Sequence, residues 1–368
     1  MKRRETNMKR REVLKSGGAV AAAAAAASFS APAIAQGKKE LKMVTSWPAN
    51  FPGLGTAAVR IGKRIEEMSA GKYKVKVFAG GELVHPLKVN DAVEEGAAEL
   101  YHSADYYFQG KSKAYNFFST VPLGMTASEM LGWVYWSDGR KLWDELAANF
   151  NVKPLLCGNT GVQMGGWYRK QMRTVEDFKG LKMRIPGLGG AVVTGLGGTS
   201  VTLAGGDIFP ALQAGTIDAT EWVGPWNDLA FGFYKVAKYC YYPGFHEPAT
   251  TLSMGVNKKL WDSMPRSDQA MFEAACAAET TINIAEYHTF NSRSLDTLIN
   301  VHKVDFREFS DDIFKAVAKT AQQVVADVGK TDAITKKVYD SYMKHYQLAK
   351  GWSYFGEQMY MNKRWLST

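Results

Sequence analysis

Gly180-Leu181-Lys182-Met183-Arg184-Ile185-Pro186-Gly187, followed by DIFPALQAG (Asp207 to Gly215) and IDATEWVGPWND (Ile217 to Asp228), decides the fold of this 368-residue chain. The first piece is a short, strand-like apolar run that carries Arg184 and stops at Pro186 and a glycine-rich turn. The second has helical spacing from Ile208 to Ala214 and ends at Gly215, a usual helix stop. The third reads as another strand, Ile217 to Val223, with Glu221 beside Trp222 among small and apolar residues. Buried charges persist only when paired or coordinated. Neither Arg184 nor Glu221 has a partner close in sequence, so together they read as a site for a small anion and a cation.

Working outward, Leu181 to Ile185, a helix near Val192 to Leu196 and a strand near Ser200 to Leu203 form one β-α-β unit. Upstream the same order repeats. Leu41 to Trp47 is a first strand, Gly55 to Met68 a helix with Val59, Ile61 and Ile65 on its apolar face. Tyr73 to Phe78 alternates cleanly as a strand, Asp91 to Glu99 is a helix and Leu100 to His102 a strand. Connections of this length imply a parallel sheet covered by helices. An aromatic helix is expected over Met130 to Asn149, with Trp133, Trp136 and Trp143 on one packed face, then a strand at Val152 to Cys157. Two α/β halves therefore stand in tandem, with the crossover near residues 150–165. The loop Gly158 to Lys170 is rich in glycine, which permits close approach of backbone to ligand.

Downstream, Leu252 to Asn257 is a strand returning to the first half. From Trp261 onward the chain reads as helical, apart from a break at Val301 to Phe309. Its tail, from Tyr339 to Tyr360, is crowded with tyrosine around Trp352 and Phe355. Such an aromatic surface either docks on its own domain or serves as a dimer arm.

Residues 1–35 read as an address. Lys9-Arg10-Arg11 opens a twin-arginine pattern, an alanine-rich run follows from Gly17 to Phe29, and Ala33-Ile34-Ala35 is a small-residue cleavage site. The apolar run is short for a membrane span, which points to export into a bacterial periplasm and a mature start at Gln36; Met8 is an alternative start codon. The leader holds seven Lys/Arg and two Glu, a net +5 of the chain's +9, which leaves +4. The basic balance is thus largely a leader effect, and it lends no support to nucleic acid binding. The remaining 333 residues suffice for two ordinary domains. Cys157, Cys240 and Cys276 lack CxxC spacing and read as small core residues.

The motifs exclude more than they assert. No GxGxxG opens the first helix, so a dinucleotide fold is not indicated. GxSxG and HExxH are absent, although paired carboxylates with a metal leave open a metal-assisted hydrolase or lyase acting on a small carboxylic acid. His246-Glu247 invites a zinc reading, but zinc wants more His or Cys ligands at fixed spacing. His246 fits better behind the ligands or in solvent.

KGLKMRIPG, the glycine-rich helix after it and DIFPALQAGTIDATEW resemble the solute-binding proteins of tripartite ATP-independent periplasmic (TRAP) transporters, over essentially the whole chain after the leader. TEWVGPWND and YYPGFHEP are most similar to the 2-oxo acid-binding branch. The resemblance implies an α/β, two-lobed periplasmic binding fold with mixed sheets, hinge strands and a long helical C-terminal region. Residues 36–157 would form mainly the first lobe and 158–250 the second, with 251–368 supplying the return strand and the C-terminal helices. It implies that Arg184 grips the ligand carboxylate through a bidentate fork. It further implies one cation, sodium or calcium, held by Gln163, the Glu221 side chain, the Trp222 carbonyl and Glu247; oxygen ligands suit such hard ions. Asn159 and Tyr106 stand at plausible cleft positions to hydrogen-bond the ligand, and Trp47 either lines the mouth or packs. Trp222, Trp226 and Phe245 suggest room for a modest apolar tail. The expected cargo is a small 2-oxo or 2-hydroxy monocarboxylate, the expected partners TRAP permease subunits and a second copy through the C-terminal helix.

Overall fold

The clean periodicities become the elements they predict. Gly55–Met68 is a helix that buries Ala58, Ile61 and Ile65, and Tyr73–Phe78 is a strand. The computed structural model describes residues 37–367; the expected leader lies outside the described residues. From Glu40 onward the chain packs as one unit built on two sheets.

The strands are β1 (Lys39–Thr45), β2 (Tyr73–Phe78), β3 (Leu100–Ser103), β4 (Val152–Asn159), β5 (Gly166–Tyr168), β6 (Lys182–Arg184), β7 (Thr199–Val201), β8 (Ala219–Thr220), β9 (Tyr239–Tyr242), β10 (Thr251–Asn257) and β11 (Asp305–Glu308). One sheet runs β2-β1-β3-β10-β4 and the other β11-β9-β5-β8-β6-β7. The first is mixed rather than wholly parallel: β1 and β3 are parallel, but the return strand β10 inserts antiparallel between β3 and β4. In the second sheet β6 is parallel to both β7 and β8, as the β-α-β reading requires.

Three expectations change. The aromatic helix is two helices, Ala127–Trp136 and Gly139–Ala148, separated where Ser137 turns extended. Gly139 sits so tightly on Trp133 that a Cβ would come within 2.8 Å of its carbonyl oxygen. The break lets Trp133 and Trp143 both stack on Phe118, at 5.1 and 5.2 Å, while Trp136 is left 92% exposed. Second, the interruption after residue 300 contains β11, which pairs in parallel with β9. Third, the strand expected over Ile217 to Val223 shrinks to Ala219–Thr220.

The sheets are tied by the 35-residue helix Arg266–Asn300. Its Thr280 and Asn283 accept from the Gly158 and Asn159 amides, Asn283 donates to Gly53 O, and Tyr287 donates to Asn227. All three cysteines are buried and free, as core residues should be. Among the described residues no helix is long and apolar enough to cross a membrane.

The tail divides by position. Tyr342 is buried against Phe117 and Trp133, and its hydroxyl accepts the Met125 amide. Beyond it, Trp352, Phe355 and Trp365 are each at least 70% exposed.

Candidate functional site

Two segments cross between the sheets, 160–165 after β4 and 243–250 before β10, and they are hydrogen-bonded to each other. The Thr160 amide donates to Thr250 O at 3.1 Å, Gln163 N to Glu247 O at 3.2 Å and Gly244 N to Gln163 O at 3.0 Å. This pairing places Gln163 beside Glu247, although 84 residues separate them in sequence. The third contributor arrives from the second sheet. Parallel pairing sets Arg184 opposite Thr220, and the next residue, Glu221, donates its amide to Arg184 O.

The two charges that lacked partners in sequence are partners of each other. Arg184 Nη1 and Glu221 Oε1 form an ion pair with both side chains 1% exposed. The guanidinium also donates to Leu203 O at 3.1 and 3.2 Å and to the Tyr107 hydroxyl at 3.3 Å, and it lies 5.0 Å from the Trp222 ring centre. Burial works against its charge, but Glu221 together with Tyr107 and Tyr106 outweighs burial and raises the Arg184 pKa. The second Glu221 oxygen faces His246 Nε2 at 3.1 Å. Burial opposes protonation of His246, and the hydrogen bond and charge of Glu221 reverse this, so its pKa is raised. His246 is therefore buried behind Glu221 and not in solvent. Burial, reinforced by Glu221, pushes the Glu247 carboxyl up to about 7, even with the Thr250 hydroxyl bonded to it.

Ligand atoms of Glu221, His246 and Glu247 lie within 4.8 Å of one another. Beside them three buried polar atoms have no partner: Gln163 Oε1, Trp222 Nε1 and His246 Nδ1. An unpaired buried polar atom costs free energy comparable to a lost hydrogen bond. Gln163 has no need to leave its oxygen idle, since its amide nitrogen is fixed by Thr160 and Thr250 at 3.1 and 3.0 Å. That fixing leaves the oxygen free as an acceptor, on a residue whose backbone pairs with Glu247, and an oxygen set of this kind fits a hard cation. Next to it lies a cavity of about 10 Å³, with Tyr106, Thr160, Gln163 and Thr250 on its polar part and Trp47, Leu54, Ala104, Val223 and Leu252 on its apolar part. That is about the space one water needs, so a ligand enters only when these walls part.

The structure thus gathers Arg184, Glu221, Trp222, Glu247, Gln163 and Tyr106. It does not bring Asn159 to the cavity. That side chain accepts the Gly161 amide at 2.8 Å and reaches Thr251, a local turn bond of the kind asparagine favours. Trp226 stacks on Phe290 and Phe245 packs near Phe309, so neither lines the cavity. Sequence reasoning missed Tyr107, which bonds Arg184 and lines the cavity; nothing in the DYYF context marks it.

The sequence matches the family described as bacterial extracellular solute-binding protein, family 7 (DctP), over residues 43–332. The chain belongs to this family. The solute-binding protein is 37% identical to the monocarboxylate 2-oxoacid-binding periplasmic protein of Nostoc sp., over 96% of this chain and 98% of that one. Its fold is similar to a TRAP transporter solute-binding protein from Bordetella bronchiseptica described with copurified calcium and picolinate, at TM-score 0.87 and 35% identity, covering 90% of this chain and 98% of that one. It is similar too to a TRAP periplasmic solute-binding protein from Pseudoalteromonas atlantica with bound sodium and pyruvate, at TM-score 0.86 and 35% identity, covering 89% and 99%. A third, from Colwellia psychrerythraea, carries calcium and pyruvate, at TM-score 0.86 and 33% identity, covering 89% and 100%. This solute-binding protein therefore has the two-sheet TRAP binding fold. Its family binds solutes for transport, which sets aside the hydrolase or lyase reading.

Proposed function

We propose that this protein captures a small 2-oxo or 2-hydroxy monocarboxylate together with one cation, sodium or calcium, in the periplasm and delivers it to TRAP membrane permease subunits. The observation that carries the reading is the unpartnered Gln163 oxygen, on a residue whose backbone pairs with Glu247, beside the buried Glu221–His246–Glu247 group and a small, amphipathic cavity. The similar proteins described with pyruvate and either sodium or calcium support it.

In this reading Arg184 receives the ligand carboxylate, which its planar fork matches. Tyr106 borders the ligand, and Trp222 covers the guanidinium face. Gln163, Glu221, the Trp222 carbonyl and Glu247 hold the cation, which supplies the positive charge that admits an anion. Arg184 and Glu221 neutralise each other, so ionised Glu247 leaves one negative charge and the ligand adds a second. Low-dielectric surroundings punish such a surplus. Sodium reduces it to one negative charge and calcium removes it.

Residues 36–157 and 158–250 serve mainly as the two lobes in this account, with the crossing segments 160–165 and 243–250 as the hinge. The exposed aromatic tail from Trp352 onward is the dimer arm, and the twin-arginine leader directs export. A thermal-shift screen against small organic acids, each with sodium, calcium or EDTA, tests the reading, because a ligand bound only by the folded state raises the melting temperature. A rise with 2-oxo or 2-hydroxy monocarboxylates that needs a cation supports it; a flat response to every acid overturns it.

A further inference from the structure

Outside the ligand cavity lies a second hollow of about 320 Å³, formed by Ser46 to Pro48, the Gly80 to Pro86 turn and the Ala204 to Asp207 segment. One residue borders both spaces: Trp47. It is 2% exposed and held on three sides. Its indole Nε1 donates to His102 Nδ1 at 2.8 Å, and His102 Nε2 is in turn 3.0 Å from Cys157 O, in the middle of the first sheet. Its carbonyl accepts the Gly80 amide at 2.7 Å. Its ring meets Trp222, from the second sheet's side of the cavity, edge to face at 6.4 Å. A side chain anchored this way is a fixed wall, not a loose filler.

We infer that Trp47 is the specificity-determining residue for ligand length: it is the partition that keeps the tail of a bound acid inside the small cavity. The polar part of the cavity is committed to Gln163, Thr160 and Thr250, so an apolar tail is left with the Trp47, Leu54 and Leu252 part. Tail growth on that side ends at Trp47, and beyond it there is unused space. Removing the indole joins the inner cavity of about 10 Å³ to an outer one of about 320 Å³ and adds the volume of the indole itself. The outer hollow can be refilled separately, because a Cβ on Gly206 meets nothing within 4 Å. This inference rests on the proposal that the inner cavity takes the acid.

Titration calorimetry with calcium present, comparing pyruvate and 2-oxooctanoate, tests it on the wild type and on W47A, W47F and W47A/G206W. The account expects W47A to raise the affinity for 2-oxooctanoate relative to pyruvate by about tenfold or more, what a few newly buried methylenes supply. W47F, which keeps a ring but loses the bond to His102, is expected to shift the ratio less, and W47A/G206W to return it towards wild type. Should W47A fail to fold, W47L carries the same comparison. An unchanged ratio in W47A or W47L, or an equal loss for both acids, overturns the inference. A wild type that binds neither acid refutes the ligand reading instead.

Discussion

Arg184 and Glu221, 37 residues apart in sequence, close on each other as a buried ion pair, and His246 stands behind Glu221 at 3.1 Å. Each charge has the other as a provisional partner. An incoming carboxylate competes with Glu221 for the guanidinium, while an incoming cation gives Glu221 something else to hold. Anion and cation should therefore favour each other's binding.

Breaking one half of the pair has two separable costs. Arg184→Ala leaves buried Glu221 with His246 as its remaining charged partner, so it should destabilise the fold by up to about 3–5 kcal/mol. The double variant R184M/E221Q removes both charges and should recover much of that loss in chemical denaturation. Both variants should bind the acid far more weakly: by the usual cost of truncating a buried charge pair, Arg184→Ala loses about 2–5 kcal/mol of affinity, roughly 30-fold to several thousand-fold.

The cation set is tested without the acid. Glu247→Gln and Gln163→Leu should each abolish most of the rise in melting temperature that calcium gives the wild type, because a hard ion loses an oxygen ligand. The measurement is thermal unfolding with calcium or EDTA. An undiminished calcium response in Gln163→Leu would remove that residue from the set.

Much of the frame was legible before any coordinates. Gly55–Met68 and Tyr73–Phe78 match their expected bounds because their buried positions repeat at helical and strand periods. Arg184 and Glu221 stood out in sequence as charges in apolar company, and the structure pairs them, while Gln163 and Glu247 were reached only through the family resemblance. What the sequence concealed depends on long-range pairing: Arg184 meets Glu221 only because β6 lies beside β8. β11 has four residues and exists through its pairing with β9. The break at Ser137 follows from how Gly139 seats on Trp133, and the local aromatic run gives no sign of it. The local turn bond that holds the Asn159 side chain is likewise not marked by its sequence context.

Asp105 offers a pH test away from the cation set. Burial pushes its carboxyl up to about 7, despite bonds from Trp143 Nε1 at 2.7 Å and from the Ser253 hydroxyl. Its ordinary value is 3.8. Between those two values the folded protein holds a proton that the unfolded chain has released, so stability falls as pH rises from about 4 through about 7. Asp105→Asn removes this titration. Its melting temperature should therefore gain on the wild type between pH 5 and pH 8, and a constant difference would refute the assignment.

Gly255 on β10 lies under the ring of Tyr101, where a Cβ would fall 2.0 Å from Cε1. Gly255→Ala should destabilise by about 1–3 kcal/mol through overpacking of the first sheet. Denaturant unfolding reads this directly.

Removing residues 352–368 deletes the exposed Trp352, Phe355 and Trp365 but leaves buried Tyr342 in place. Sedimentation should show a dimer for the chain that begins at Gln36 and a monomer for the truncated one, with acid affinity little changed. Equal masses would remove the tail from the interface.

The most direct measurement of the central claim is calorimetric titration of pyruvate into the cation-depleted protein, repeated with calcium and with sodium. The account predicts one site per chain that binds the acid only when a cation is present. Equal affinity in EDTA, or no binding of any 2-oxo or 2-hydroxy acid under either condition, would contradict it.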